Sequence, residues 1–110
     1  MRTGKYASQA AHASMAFLTT QFAGMTAIIS NNEERHHWLE NSFRKIVCYV
    51  ETEEELLAIF EKAKNSGLTA HLITDNGATE FNGIKTHTAV AIGPHWDEKF
   101  IGLTDGLKLF

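Results

Sequence analysis

The sequence predicts an α/β fold with helices on both faces of one small sheet. Short apolar runs rich in β-branched residues alternate with longer segments whose apolar residues recur every three or four positions. In the middle of the chain the order strand, helix, strand implies a parallel pair joined by a right-handed crossover. We therefore expect a three-layer α/β/α arrangement around a small mixed, mostly parallel sheet.

The size and charge of the chain favour one globular domain. Its 110 residues, of which 44% are hydrophobic, can build one modest core. No apolar run approaches the ~18 residues that cross a bilayer, and the start of the chain has no secretory pattern. We predict a cytoplasmic protein without membrane contact, with Cys48 as a buried small side chain. The net charge of −3 argues against non-specific nucleic-acid binding but permits a local basic patch.

The first element is predicted to be a helix over residues 5–21. Lys5, Gln9 and His12 recur at i, i+4 and i+7, which places them on one face. Most residues between them are small. The pattern predicts a helix that packs closely on its alanine side and presents a cation, an amide and an imidazole on the other side.

Charged residues dominate the next predicted helix, residues 33–40, which follows a Ser-Asn-Asn run suited to capping. Trp38 and Leu39 give this helix an apolar anchor. The run Ile-Val-Cys-Tyr-Val at residues 46–50 is short and partly β-branched, and it predicts a buried strand.

The helix that follows has clear signals at both ends. Thr52 and Glu55 have the spacing of a capping box, and the acidic first turn suits the positive end of the helix dipole. Lys62 and Lys64 lie near its carboxyl end, and Gly67 suits the position just after it. Two more strands are predicted at residues 70–74 and 88–92, then a short helix at residues 98–103 and a closing tail at residues 107–110.

The connection at residues 75–85 is where we expect the chemistry. It is longer than the usual loop of ~4–6 residues, and Asp75 lies at the carboxyl end of a predicted parallel strand, where α/β sheets bind ligands. Two Asn-Gly pairs predict tight turns. These turns would fix the Thr79 hydroxyl and the Glu80 carboxylate between them.

Four segments resemble one enzyme family. Residues 4–13, Gly-Lys-Tyr-Ala-Ser-Gln-Ala-Ala-His-Ala, are similar to the G-K-x-A-A-Q-x-[SA]-H-A signature of type 2 peptidyl-tRNA hydrolases, and depart from it at Ser8. Residues 75–80 and 88–94 resemble the family segments D-A-G-x-T-Q and T-V-x-A-I-G-P. Residues 103–109 resemble the family's C-terminal I-T-G-x-L-K-L. The resemblance spans the chain in the right order.

The resemblance implies a divergent, bacterial-type member of this family in a single domain over residues 1–110. Such an enzyme cleaves the ester between a peptide and the 3′ end of tRNA and releases free tRNA. It implies no cofactor, and the six histidines show no metal-ligand spacing with acids or cysteine. The implied catalytic residues are Lys5, His12, Asp75 and Thr79. The implied substrate-binding residues are Arg2, Gln9, Gly77 and Glu80.

The helix face and the loop together predict that Lys5, Asp75 and Thr79 converge at one site. The chain departs from the family pattern at two further positions: Glu80 stands where many members have Gln, and Asn76 where many have Ala. Family members also begin with a strand before the Gly-Lys helix. We therefore expect the domain to lack its first strand and to be a candidate for homodimer formation.

Other interpretations remain open from the sequence. The same fold can be a non-catalytic module that binds RNA or protein, or a hydrolase for a different small acyl ester. At the level of residues, Lys5 can be a solvated side chain at a helix start and His12 a hydrogen-bonded packing residue. Asp75 and Thr79 can be ordinary turn and loop residues.

Overall fold

The computed structural model of the protein describes residues 1–19, 33–78 and 81–110. It contains both helices and short strands, as the sequence predicts for an α/β protein. The helices are α1 (Thr3–Thr19), α2 (Glu33–Glu40), α3 (Glu53–Asn65) and a 3₁₀ turn (Asp97–Phe100). The strands are β1 (Cys48–Tyr49), β2 (Ala70–Asp75), β3 (Thr86–Ile92) and β4 (Lys108–Leu109).

The prediction of a mostly parallel sheet is wrong for these strands, because both observed pairings are antiparallel. β2 pairs with β3 from Ala70 opposite Ile92 to Asp75 opposite Thr86. The connection at residues 76–85 turns the chain back on itself, so that strands consecutive in sequence become antiparallel neighbours. Helix α3 does link β1 to β2, but these two strands do not pair within the described residues.

The prediction of a buried strand at residues 46–50 is also wrong. β1 has two residues and pairs with β4, in the predicted tail, through Cys48 opposite Leu109. Ile46 is 64% exposed and Val47 47% exposed. Cys48 is half-buried. An apolar run is buried only where other elements cover it, and this segment lies at the edge of a two-stranded pairing.

Helices α1 and α3 pack against the hairpin formed by β2 and β3. Ile73 contacts Ala13 and Ala16 of α1. Ala70, on the same strand, packs instead with Ala63 of α3. Residues 70 and 73 differ by an odd number, so their side chains point to opposite faces of the strand. Helices α1 and α3 therefore contact the hairpin through different residues of β2.

The predicted ends of α3 are confirmed. The Glu55 amide donates to Thr52 Oγ1 at 3.1 Å, and the Thr52 hydroxyl donates to Glu55 Oε1 at 3.2 Å. At the other end, Gly67 has a φ of +77°. The Leu68 amide donates to the Ala63 carbonyl at 3.0 Å, which closes the helix with the loop typical of glycine at this position.

Two other element boundaries follow the sequence closely. Helix α2 has the predicted bounds, and α1 begins two residues before the predicted start. The predicted end of α1 at residue 21 lies outside the described residues. A 3₁₀ turn replaces the predicted helix at residues 98–103. None of the described helices combines the length and apolar character needed to span a membrane.

Candidate active site

An ion pair joins the first turns of α1 to the end of β2. Lys5 Nζ lies 2.8 Å from Asp75 Oδ1, across 70 positions of sequence. Both side chains are largely shielded, with 15% of Lys5 and 11% of Asp75 exposed. The packing of α1 on the hairpin produces this contact, because it sets the start of the helix beside the carboxyl end of β2. The predicted convergence of Lys5 with Asp75 is confirmed.

Two hydrogen bonds hold Asp75 in its ionised form. The bond from the Lys5 ammonium is the stronger influence, and the Gly77 amide donates to Asp75 Oδ2 at 2.8 Å. Together they lower the pKa of the Asp75 carboxyl, although partial burial opposes them. The carboxylate is therefore charged at neutral pH and is fixed through both of its oxygens.

We expect substitution of Lys5 by methionine to raise the pKa of Asp75 towards the ordinary value of about 3.9. The depressed pKa means that Asp75 stabilises the fold above its unfolded pKa, and that this stabilisation is lost as pH falls through the folded pKa. The variant should have less of this stabilisation than the wild type, because the difference between the folded and unfolded pKa of Asp75 becomes smaller. Carboxyl ¹³C NMR titration of both proteins measures the shift, and an unchanged Asp75 titration would contradict the assignment of the cause to Lys5.

The backbone after Asp75 requires glycine at residue 77. Gly77 has a φ of +82°, and a Cβ there would lie 2.3 Å from the carbonyl oxygen of Ile84. The Gly83 amide donates to the Gly77 carbonyl at 2.9 Å and closes the loop. Asn76 Oδ1 accepts from the Ala78 amide at 2.9 Å, which gives this departure from the family pattern a role in the turn.

A cavity of about 410 Å³ opens beside Lys5. It is lined by Arg2, Gly4, Lys5 and Ser8, all from the start of the chain and the first turns of α1. The predicted substrate-binding residue Arg2 therefore shares a cavity with Lys5. The cavity is largely open to solvent.

Gln9 lies on the packed side of α1, so the predicted division into an alanine face and a polar face is wrong. Its side chain is 7% exposed and accepts a hydrogen bond from the Thr88 hydroxyl. A helix turns ~100° per residue, so Gln9 lies more nearly in line with Ala13 than with His12. Gln9 thus fixes α1 on the hairpin.

Sequence reasoning missed Thr88, because a bulge decides where it points. Ile73 pairs with Ala89 and Thr74 pairs with His87, which leaves Thr88 as the extra residue of β3. A bulge breaks the alternation of side chains and redirects one of them. Strict alternation in the sequence gives no signal for this residue.

A model of the peptidyl-tRNA hydrolase PTH2 family matches residues 1–110. The chain belongs to this family. Three archaeal relatives, each named peptidyl-tRNA hydrolase, align over nearly all of it. The protein of Methanococcus maripaludis (strain C6) is 39% identical over 99% of this chain and 88% of its own length. The Methanocaldococcus jannaschii protein is 38% identical over 99% and 89%, and the Nanoarchaeum equitans protein 35% identical over 97% and 87%. The expectation of a bacterial-type member stays a prediction.

Three predicted site residues of this PTH2 family member remain: His12, Thr79 and Glu80. His12 is exposed on α1, so its alternative interpretation as a packing residue is wrong. Thr79 and Glu80 lie outside the described residues. Among the residues that the structure does describe, no three His, Cys, Asp or Glu side chains come together as metal ligands. The absence of a metal requirement stays a prediction.

A second polar cluster in this PTH2 chain was not found from the sequence. Glu34 accepts from the Trp96 amide at 2.6 Å and from Lys99 Nζ at 2.5 Å, and it pairs with His95 Nδ1 at 3.3 Å. His95 Nε2 accepts from the Thr69 amide at 2.9 Å. Both ring nitrogens are therefore occupied, and the cluster ties α2 to the segment after β3 rather than offering a free base.

Loss of the Glu34 charge should destabilise this PTH2 domain. Burial raises the pKa of Glu34, but the hydrogen bonds from Lys99, Trp96 and His95 outweigh it, and the net pKa is lowered. We expect Glu34→Gln to lower the free energy of unfolding by about 1 kcal/mol at neutral pH. The difference from wild type should shrink as pH falls through the folded pKa of Glu34. Urea denaturation of both proteins over a pH series measures it.

Glu61→Gln is the matched control for this prediction, because Glu61 is an exposed residue of α3. It should change the free energy of unfolding by less than about 0.5 kcal/mol. Equal effects of the two substitutions would show that the Glu34 cluster contributes no specific stability.

Proposed function

We propose that this chain hydrolyses the ester between a peptide and the 3′ end of tRNA, with Lys5 and Asp75 at the centre of the site. Membership of the PTH2 family and the shared name of its full-length relatives support the activity. The main evidence for the site is the shielded Lys5–Asp75 pair, of which Lys5 lines an open cavity. Peptidyl-tRNA is thus the proposed partner, and no cofactor takes part in the proposed reaction.

The pair can stabilise the reaction through the charge of Lys5 and the carboxylate of Asp75. The Lys5 ammonium is a cation with N–H donors, and it can approach the carbonyl oxygen of the ester. In the transition state that oxygen becomes negative, and a fixed cation near it lowers the barrier. Asp75 keeps Lys5 in place and can accept a hydrogen bond from the attacking water.

The reaction balances with water alone as the second reactant. The water oxygen forms a bond to the carbonyl carbon, and the bond between that carbon and the ribose oxygen breaks. The ribose oxygen takes up one proton of the water and leaves as the free tRNA hydroxyl. The peptide leaves as a carboxylic acid, which ionises at neutral pH.

Other residues have supporting roles in this proposal. The Thr79 hydroxyl and the Glu80 carboxylate would contact the substrate from the loop that begins at Asp75, and the backbone of Gly77 would shape that loop. Arg2 would attract the phosphates next to the ester. His12, exposed on the same helix seven residues after Lys5, would act at the edge of the site.

Turnover of an N-acylated aminoacyl-tRNA by the purified chain tests the function. We expect release of free tRNA together with the N-acyl amino acid, at a rate that rises with enzyme concentration. Binding of the RNA without release would favour the alternative of a non-catalytic module. Release from a simple aryl ester but not from the tRNA would favour the alternative of a different acyl-ester hydrolase.

We also propose that a strand from a second copy of the chain extends the β1–β4 pairing and gives the expected three-layer arrangement. The exposed apolar side chains of Ile46, Val47 and Leu109 support this, since Leu109 belongs to the separate β1–β4 pairing and Ile46 and Val47 immediately precede it. We expect the 110-residue chain to self-associate in sedimentation experiments, and Val47→Lys to reduce the association. A monodisperse wild-type monomer that melts well above ~60 °C would overturn the proposal.

A further inference from the structure

Ser8 contributes the one neutral hydroxyl to the described lining of the cavity beside Lys5. It lies three residues after Lys5 on α1, and side chains with this spacing are neighbours on a helix, with Cβ atoms about 5–6 Å apart. Ser8 is exposed. The hydroxyl can therefore meet whatever group binds next to the Lys5 ammonium.

The exposed Ser8 side chain takes no part in the packing of α1 on the hairpin. Within the described ranges its hydroxyl has no hydrogen-bond partner. Ser14, two turns nearer the end of α1, behaves differently, because its hydroxyl donates to the Ala11 carbonyl at 2.8 Å. Serine also lowers helix stability relative to alanine. The hydroxyl at residue 8 therefore points to a role in the cavity.

The Ser8 hydroxyl matches the chemistry of one group of the proposed substrate. The phosphates of the RNA end are anions that suit Arg2, and the ester carbonyl suits the Lys5 ammonium. The ribose hydroxyl next to the ester is neutral, and it both donates and accepts one hydrogen bond, as serine does. It is joined to the ester through two adjacent ring carbons, so it must lie within a few ångströms of Lys5.

We propose that Ser8 recognises the free ribose hydroxyl adjacent to the ester and so makes the site selective for a ribonucleotide end. The inference rests on the proposed function, since it places the ester at the Lys5–Asp75 pair. A ribose hydroxyl is also the group that distinguishes RNA from DNA at a binding site. Ser8 acts here on substrate selection, while Lys5 and Asp75 carry the reaction.

Two substrates and two serine variants test the inference. The substrates are N-acyl-aminoacyl-tRNAs whose terminal adenosine either has or lacks the hydroxyl next to the ester. We expect Ser8→Ala to lower kcat/KM about five- to tenfold on the ribose substrate, the usual value of one neutral hydrogen bond. On the deoxyribose substrate the variant and the wild type should be equal. The intrinsic reactivity of each ester cancels in these ratios.

Ser14→Ala is the matched control, because it removes a hydroxyl from the same helix away from the cavity. It should leave kcat/KM unchanged on both substrates, and thermal melting of each variant checks that the fold is intact. An equal loss by Ser8→Ala on both substrates, or no loss on either, overturns the inference while the proposed function stands. Failure of the wild type to hydrolyse either substrate overturns both.

Discussion

Lys5→Met and Asp75→Asn should each lower kcat/KM for peptidyl-tRNA by at least ~10²-fold without unfolding the domain. The methionine keeps the length of the lysine stem but removes the cation that meets the developing negative charge. The asparagine keeps the shape of the carboxyl but removes the charge that holds Lys5. Single-turnover hydrolysis measures the loss, and circular dichroism establishes that the variants are folded.

The double variant should be only slightly slower than either single variant, because the two side chains act as a unit. Multiplicative losses would show that Lys5 and Asp75 contribute separately and that their ion pair is incidental to the reaction.

Two controls reproduce the same chemical changes elsewhere in the chain. Lys99→Met removes a lysine whose ammonium is paired with Glu34 at 2.5 Å. Asp105→Asn removes a carboxylate that accepts from the Gly102 amide at 2.8 Å, as Asp75 accepts from Gly77. Both controls should retain hydrolysis within about twofold. A control as slow as the site variants would mean that general stability, and not the site, limits the rate.

Gly77→Ala should disrupt the loop that follows Asp75. A left-handed backbone costs an alanine roughly 1–2 kcal/mol, and the new Cβ would lie against the backbone of Ile84. The loop must move, and Asp75 then loses the hydrogen bond from the Gly77 amide. We expect a fall in unfolding free energy of about 2–5 kcal/mol, the sum of the strain and of overpacking. Hydrolysis should fall by at least ~10-fold.

Gly83→Ala separates the two costs within the same loop. Gly83 has a φ of +78°, but a Cβ there meets no atom within 4 Å. Gly83→Ala should lower the free energy of unfolding by only roughly 1–2 kcal/mol, the strain of the left-handed backbone. It should leave hydrolysis nearly unchanged. Denaturant unfolding and hydrolysis of both variants measure the difference, and equal effects would refute a special requirement at residue 77.

Local signals in the sequence predicted local structure well. The capping box at Thr52 and the glycine at residue 67 mark the ends of α3, because both depend on backbone groups within one helical turn. The meeting of Lys5 with Asp75 was also predictable. It needs only a helix start and a strand end, and the family resemblance supplied the link between them.

Features that depend on distant neighbours could not be predicted in the same way. The antiparallel pairing of β2 with β3 depends on how the loop at residues 76–85 closes, which an apolar pattern does not encode. The exposure of Ile46 depends on which element lies beside β1. The burial of Gln9 depends on a bulge at Thr88, which redirects a hydroxyl towards α1.

The separation of Lys5 from Asp75 by 70 residues has a consequence for how the protein becomes active. Neither α1 alone nor the hairpin alone contains the pair, and closing so long a segment of chain is among the slower events of folding. Helix α1 can form before Lys5 meets Asp75, but its formation alone produces no activity. During synthesis, the site can assemble only after about two thirds of the described sequence has been made, since Asp75 must emerge first. In refolding, recovery of hydrolysis therefore reports the docking of α1 on the hairpin, a later event than the return of helical signal.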